Sequence, residues 1–310
     1  MTFIRTNDNL PRPEIFAGSA PPNILSPVVT RPIRGLGRDG QALDMPGFVG
    51  TYTVRDGQPV PLGVVSEKYE VVQMRDLTAA AERIMQDAFT PEQLGKIKVR
   101  DRSAAGGAWV QRQYVVKAFE EALEYGNQTS ATLNVGTTVA ATCSITTSFD
   151  GGSSTHLGIG TLDLVCQNGM LALNAVDHFR KKHTKSATTE VFEDWLQDLG
   201  PRFREQVATM KEWSGAGLTW SQIEDTVRAL PSISEKKAEK LLERAARECA
   251  DRGFNVYALS SALTFYSSHN SEEFPIRNTG NDNVATTLSD RQTEVSRWVR
   301  SQPFQALLAA

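Results

Sequence analysis

Between Cys143 and Phe149 the chain alternates strictly. Cys143, Ile145, Thr147 and Phe149 fall on one side of an extended backbone, and Ser144, Thr146 and Ser148 on the other. A period of two predicts a half-buried antiparallel strand. Asp150-Gly151-Gly152-Ser153-Ser154 follows, and Asp-Gly predicts a hairpin because glycine supplies a positive φ. A second strand is expected from about His156 to Val165, where Gly158 and Gly160 allow close approach of a backbone or ligand. Asn168 then predicts a helix cap. Met170, Leu171, Leu173, Val176 and Phe179 supply that helix with an apolar side. Arg180, Lys181, Lys182 and Lys185 close it, where cations complement the helix dipole.

The same reading extends along the chain. Residues 1–48 are rich in Pro, Gly and Arg and predict an extended, poorly structured arm. Order is expected from Val49, with a β-hairpin around Asp56-Gly57. Arg75-Asp76 opens a helix, and Thr90-Pro91 a short helical turn. Two strands are expected around Ala105-Gly106-Gly107, and another from Ala131 to Ala140. From Glu190 the apolar spacing is helical, and Ser289 is the expected cap of a last helix. The predicted fold class is α+β: an antiparallel β-sheet with packed helices, followed by a helical C-terminal region. The expected divisions are an arm (1–48), an α+β core domain (49–186), a helical region packed on it (187–277), and a linker with a terminal helix (278–310).

Composition narrows the function classes. The chain has 310 residues, 40% hydrophobic and 22% charged, as in an ordinary globular protein. No apolar run reaches the roughly 20 residues that span a bilayer, and the first residues lack a signal-peptide core. Neither a membrane partner nor export is expected. Cys143, Cys166 and Cys249 are widely spaced, which argues against disulfides or a zinc knuckle and for a reducing cytoplasm. A net charge of −3 gives no global attraction to nucleic acid, so any such binding must come from a local patch.

Two local patches stand out. Lys96, Lys98, Arg100 and Arg102 alternate along a predicted strand and so share a face. A phosphate backbone suits four such cations. The plain alternative is a solvated edge strand, because lysines guard edges against mispairing. The second patch is Arg180, Lys181, Lys182 and Lys185. It precedes Glu190, Glu193, Asp194 and Asp198, which could simply neutralise it. His178 and His183 lack metal-site spacing, so no metal and no cofactor is expected.

Pro231-Ser232-Ile233-Ser234 has the spacing of a helix-hairpin-helix turn, with serine at both glycine positions. The plainer reading is a helix–loop–helix corner capped by Ser234. Trp109, Tyr114, Tyr257, Phe265 and Tyr266 could stack on bases but are expected in the core. There is no nucleophile elbow, phosphate-binding loop, dinucleotide fingerprint or zinc-protease motif, so no enzyme is expected.

LGVVSEKYEVVQ (62–73), the DGGSS turn, LDLVCQNGMLAL (162–173) and NVYALSSALTFYSSH (255–269), taken in order, resemble a phage- and plasmid-encoded family, domain-of-unknown-function family 932. The common family form has Thr after Val-Cys-Gln-Asn, where this chain has Gly169. That family label implies no biochemical activity. A weaker similarity of layout links the strand–turn–strand–basic-helix order to single-strand annealing proteins, and it implies single-stranded nucleic acid held by an oligomer. The expected function is thus a phage- or plasmid-type single-stranded DNA-binding protein, an oligomeric strand-annealing recombination factor of the host cytoplasm. The competing expectation is a non-enzymatic protein–protein interaction or structural phage accessory protein.

Overall fold

The computed structural model describes residues 23–36, 41–88, 90–95, 97–123, 137–163, 177–277 and 284–308. Strands β1 (Val28–Leu36), β2 (Ala42–Arg55) and β3 (Gln58–Ser66) form one antiparallel sheet in that order. Asp56 and Gly57 join β2 to β3 with φ of 50° and 77°. Two positive φ values give a turn whose twist matches the flanking strands. Order therefore begins well before Val49, and the expected arm is corrected for residues 28–36 and 42–48. Proline hid β1 from a pattern reading. Pro32 sits at a register irregularity on an edge strand, where a missing N–H leaves no ladder bond unmade.

A second antiparallel sheet runs β4 (Ile97–Ala104), β5 (Trp109–Leu123), β6 (Thr137–Ser148), β7 (Thr155–Asp163) and β8 (Asp177–Lys181), each strand paired to the next. Ala105, Gly106 and Gly107 turn β4 into β5, all at positive φ. The strand expected at 131–140 and the one expected at Cys143 join as β6, with residues 131–136 outside the described residues. The helix expected after Asn168 falls on 164–176, also outside them. Its expected end is corrected. Phe179, Arg180 and Lys181 lie on β8, with Phe179 opposite Leu157 of β7. Phe179 meets the Phe192 ring edge-on at 5.6 Å, and this core contact fixes the extended register.

The Asp150-Gly151 turn is where the two sheets meet. Thr51 Oγ1 donates to the Phe149 carbonyl at 2.6 Å, and Tyr69 Oη donates to that of Ser148 at 2.7 Å. A Cβ on Gly63 would lie 2.6 Å from Asp150 Cα, so only glycine fits this junction.

Helices cover the second sheet. Its apolar face holds Ile97, Val110, Tyr114, Cys143, Ile145 and Leu157, packed on Leu77, Ala81 and Met85 of α1 (Met74–Ala88) and on Phe192 and Leu196 of α3 (Thr189–Leu196). The short α2 (Pro91–Leu94) packs on β5. The remaining helices are α4 (Leu199–Gly215), α5 (Trp220–Arg228), α6 (Glu235–Arg252), α7 (Val256–Ser268), α8 (Val284–Val299) and α9 (Gln302–Gln305). The chain is α+β, with its C-terminal part helical, as expected. Ser289 lies inside α8 and does not cap it, because the helix already begins at Val284. Ser234 does cap α6, accepting from the Lys237 N–H at 3.3 Å. The expected core aromatics, Trp109, Tyr114, Tyr257, Phe265 and Tyr266, are all buried.

Candidate nucleic-acid interface

Residues opposed in antiparallel strands share a sheet face. The register therefore places side chains without further assumption. Arg102 faces Gln111, which faces Thr146, which faces His156, which faces Arg180. One unbroken row thus crosses the sheet from β4 to β8, with an arginine at each end. Beside it, Arg100 faces Gln113, Ser144 and Gly158 in turn, and Lys98 faces Val115 and Thr142. Lys98, Arg100 and Arg102 of the first basic stretch and Arg180 of the second reach the same face at opposite edges. Four inter-strand steps separate them, roughly 19 Å.

The expected residues divide on this geometry. Lys98, Arg100, Arg102 and Arg180 come to one face. Lys181 is opposite Thr155 and falls on the other face. Lys182 and Lys185 are exposed in the loop after β8. Lys96 lies outside the described residues.

Between the cations the floor is polar, yet it is buried. Gln111, Gln113, Thr142, Ser144 and Thr146 all lie within the interior. The strand expected to be half-buried is buried on both faces. With α1 and α3 on the apolar side, the cover on this side comes from the second helical group. In it α4 packs on β5 and β7, α8 packs on β4, and α7 touches both helices. Gln111 Nε2 donates to Thr146 Oγ1 at 3.0 Å. Among the described residues, neither polar atom of Gln113 has a hydrogen-bond partner, and Thr142 Oγ1 has none. Gly158 leaves room for Ser144, whose Oγ would sit 2.8 Å from an added Cβ.

The cations differ in their company. Arg112, on the apolar face, holds Asp101 bidentately at 2.8 Å and reaches Glu82 at 3.3 Å. Burial opposes its charge, but Asp101 more than restores it and its pKa rises. Arg102 is half-buried and pairs with no carboxylate among the described residues. Burial, then Arg100 beside it, pushes it down to about 10. Burial also lowers Arg100. Arg180 is exposed, and its Nε donates to Ser154 Oγ at 3.0 Å. Two of the four acids expected to neutralise the Arg180–Lys185 cluster engage other cations: Glu193 pairs with Arg83, and Asp198 with Arg202. β4 is indeed an edge strand, but its cations are half-buried, unlike the fully solvated guards of the plain alternative.

A family model described as "Domain of unknown function (DUF932)" matches residues 61–298. The chain belongs to this family. The DUF932 span begins within β3 and ends within α8, so it contains the whole second sheet, while β1 and β2 precede it. Neither the curated proteins nor the solved structures give a match to this DUF932 member. Among the described residues no group of three His, Cys, Asp or Glu side chains could hold a metal ion. No helix among them is long and apolar enough to cross a membrane. The described thiols are buried, and burial pushes Cys143 up to about 12, far from a reactive thiolate.

The sequence reading missed the polar floor. Gln111 and Gln113 alternate in β5 just as Ser144 and Thr146 alternate in β6, which by itself reads as a solvent face. A signal was present, since the long helical C-terminal region needs a surface to pack on.

Proposed function

We propose that the chain binds single-stranded DNA, as a strand-annealing factor of phage or plasmid type acting in the host cytoplasm. One observation supports this most: Lys98, Arg100 and Arg102 of the first basic stretch share a sheet face with Arg180 of the second, Arg102 and Arg180 ending one cross-strand row. Lys98, Arg100 and Arg102 would hold phosphates at one edge and Arg180 at the other, with Lys182 and Lys185 extending the second edge. Arg102 favours an external anion because no carboxylate among the described residues offsets its charge. Because helices cover the floor between them, the strand would be held at the two cation-bearing edges. Annealing there is base pairing assisted by charge, and it needs no catalytic residue.

Fluorescence anisotropy with a labelled single-stranded oligonucleotide tests the reading. Binding at low salt should weaken steeply as salt rises. The Lys98→Ala/Arg100→Ala/Arg102→Ala variant should bind at least tenfold more weakly. No binding at low salt, or an unchanged affinity in that variant, would sink the proposal. The interaction-protein reading is favoured by a different feature, the exposed apolar side of the β1–β3 sheet. A chain that self-associates and binds no oligonucleotide at low salt would support it.

A further inference from the structure

We propose that the outer face of the β1–β3 sheet is the contact surface between two copies of this chain, stacked face to face. Val29, Leu43, Met45, Phe48, Val54 and Val64 are each between 42% and 55% exposed, and all six lie on these three strands. The register gathers most of them on one side. Phe48, Gly50, Tyr52 and Val54 share a face of β2, with Val64, Pro61 and Pro59 opposite them on β3, and Val29 opposite Tyr52 on β1. The β2–β3 part of that face carries no charge. The other side of the sheet, with Val28, Thr51, Thr53 and Val65, is buried.

Two features suit this face to stacking. The first is its flatness. A Cβ on Gly50 would lie 2.6 Å from the Tyr52 ring and 2.8 Å from Ile33 Cγ2, so the bare glycine lets the tyrosine lie down across the strand. The second is the guarding of its edges. β1 carries Pro32, and β3 carries Pro59 and Pro61. Proline on an edge strand blocks the addition of another strand. Sheet extension is disfavoured, which leaves face packing.

The size argues for a partner, and the chemistry argues for a second copy. Val29, Phe48, Val54 and Val64, each about half exposed, make a patch on the order of 350 Å² on this face, within the range that marks a functional surface on a monomer. Tyr52, Pro59 and Pro61, with Leu43 and Met45 further along β2, extend the exposed apolar surface toward the roughly 800 Å² per partner of a standard interface. The β2–β3 part of the face is uncharged and complementary to itself, and exposed Arg31, opposite Gly50 on β1, would lie at its rim, so two copies related by a two-fold axis need bury no unpaired charge. Their sheets would lie about 10 Å apart with strands near 30° to one another. This surface is separate from the polar face of the second sheet, and pairing through it does not depend on nucleic-acid binding.

Sedimentation equilibrium of the full chain at micromolar concentration should give twice the chain mass of 34.0 kDa. Val54→Lys/Val64→Lys should weaken association at least tenfold with an unchanged far-ultraviolet circular dichroism spectrum. Phe48→Ser, half exposed on the same face, should do the same if the double lysine variant fails to fold. A wild-type mass of 34.0 kDa throughout would leave the face to another segment or a foreign partner and overturn the proposal. A dimer indifferent to both substitutions overturns it equally.

Discussion

Arg102 and Arg180 stand at the two ends of a single cross-strand row, joined through Gln111, Thr146 and His156. Antiparallel pairing alone sets this relationship. Lys181, one residue on, is turned to the opposite face by the same pleat. Adjacent cations in one cluster therefore face different surroundings.

That difference can be measured. Arg102→Ala and Arg180→Ala should each weaken oligonucleotide binding and flatten its salt dependence. The slope of log K against log salt should fall by about 0.7 for each phosphate no longer neutralised. Lys181→Ala should leave the slope unchanged. Anisotropy titrations at several salt concentrations separate the three. Equal effects at Arg180 and Lys181 would mean that the cluster acts as a diffuse charge, with no role for the sheet face.

Local pattern foretold the hairpins at Asp56-Gly57, Ala105–Gly107 and Asp150-Gly151 because each turn residue states its own backbone requirement. The basic stripe on β4 was legible for the same reason, since alternation fixes a face. Burial was not legible. Gln113 and Ser144 read as solvent-facing, and only the arrival of a distant helical layer makes them interior. The misreading of Phe179 is similar. His-Phe-Arg-Lys suits a helix end locally, and its pairing with Leu157 is a tertiary fact.

Gln113 should be a site where stability can be gained. The residue is 2% exposed, and both polar atoms of its amide are unpartnered among the described residues. Leaving such groups unmade costs about 1–3 kcal/mol, and a similarly shaped apolar side chain removes that cost. Gln113→Met should raise the urea midpoint by an amount equivalent to about 1 kcal/mol. A fall of similar size would show that the amide is satisfied in solution.

Glu248 should behave in the opposite way. It is 1% exposed on α6, and it accepts from Arg244 Nε at 2.9 Å and from Arg252 one turn on. Removing the carboxylate takes a shared counter-charge from two largely buried guanidinium groups. Glu248→Ala should destabilise the fold by about 3–5 kcal/mol. Chemical denaturation of the variant gives the value directly, and a destabilisation below about 1 kcal/mol would contradict a buried, coupled pair.

Ser232 holds φ at 59° in the turn between α5 and α6. A left-handed non-glycine residue costs about 1–2 kcal/mol, and glycine gives back roughly 0.5–1 in the unfolded chain. Ser232→Gly should therefore raise the melting temperature slightly, by the equivalent of about 0.5 kcal/mol. A lowered melting temperature would mean that the serine side chain contributes something beyond its backbone shape.

His269 gives the fold an acid-side weakness. Its ring stacks on Phe265 at 4.2 Å, with Nδ1 near Ser268 Oγ at 2.8 Å and the Phe265 carbonyl at 3.2 Å. Nε2 is buried without a hydrogen-bond partner among the described residues. Burial pushes the imidazole down to about 4, helped by Arg244 from α6 and Arg102 from β4, which oppose a second positive charge nearby. The folded state thus keeps His269 neutral over a range where the unfolded chain, near 6.5, takes a proton. Stability from this group is fully present above pH 6.5 and falls as the pH drops toward 4, because the unfolded state then binds more protons. His269→Phe keeps the stack and removes the titration. Urea midpoints at pH 7.5 and pH 5 should differ less in that variant than in the wild type, and an identical pH dependence in both would place the acid sensitivity elsewhere.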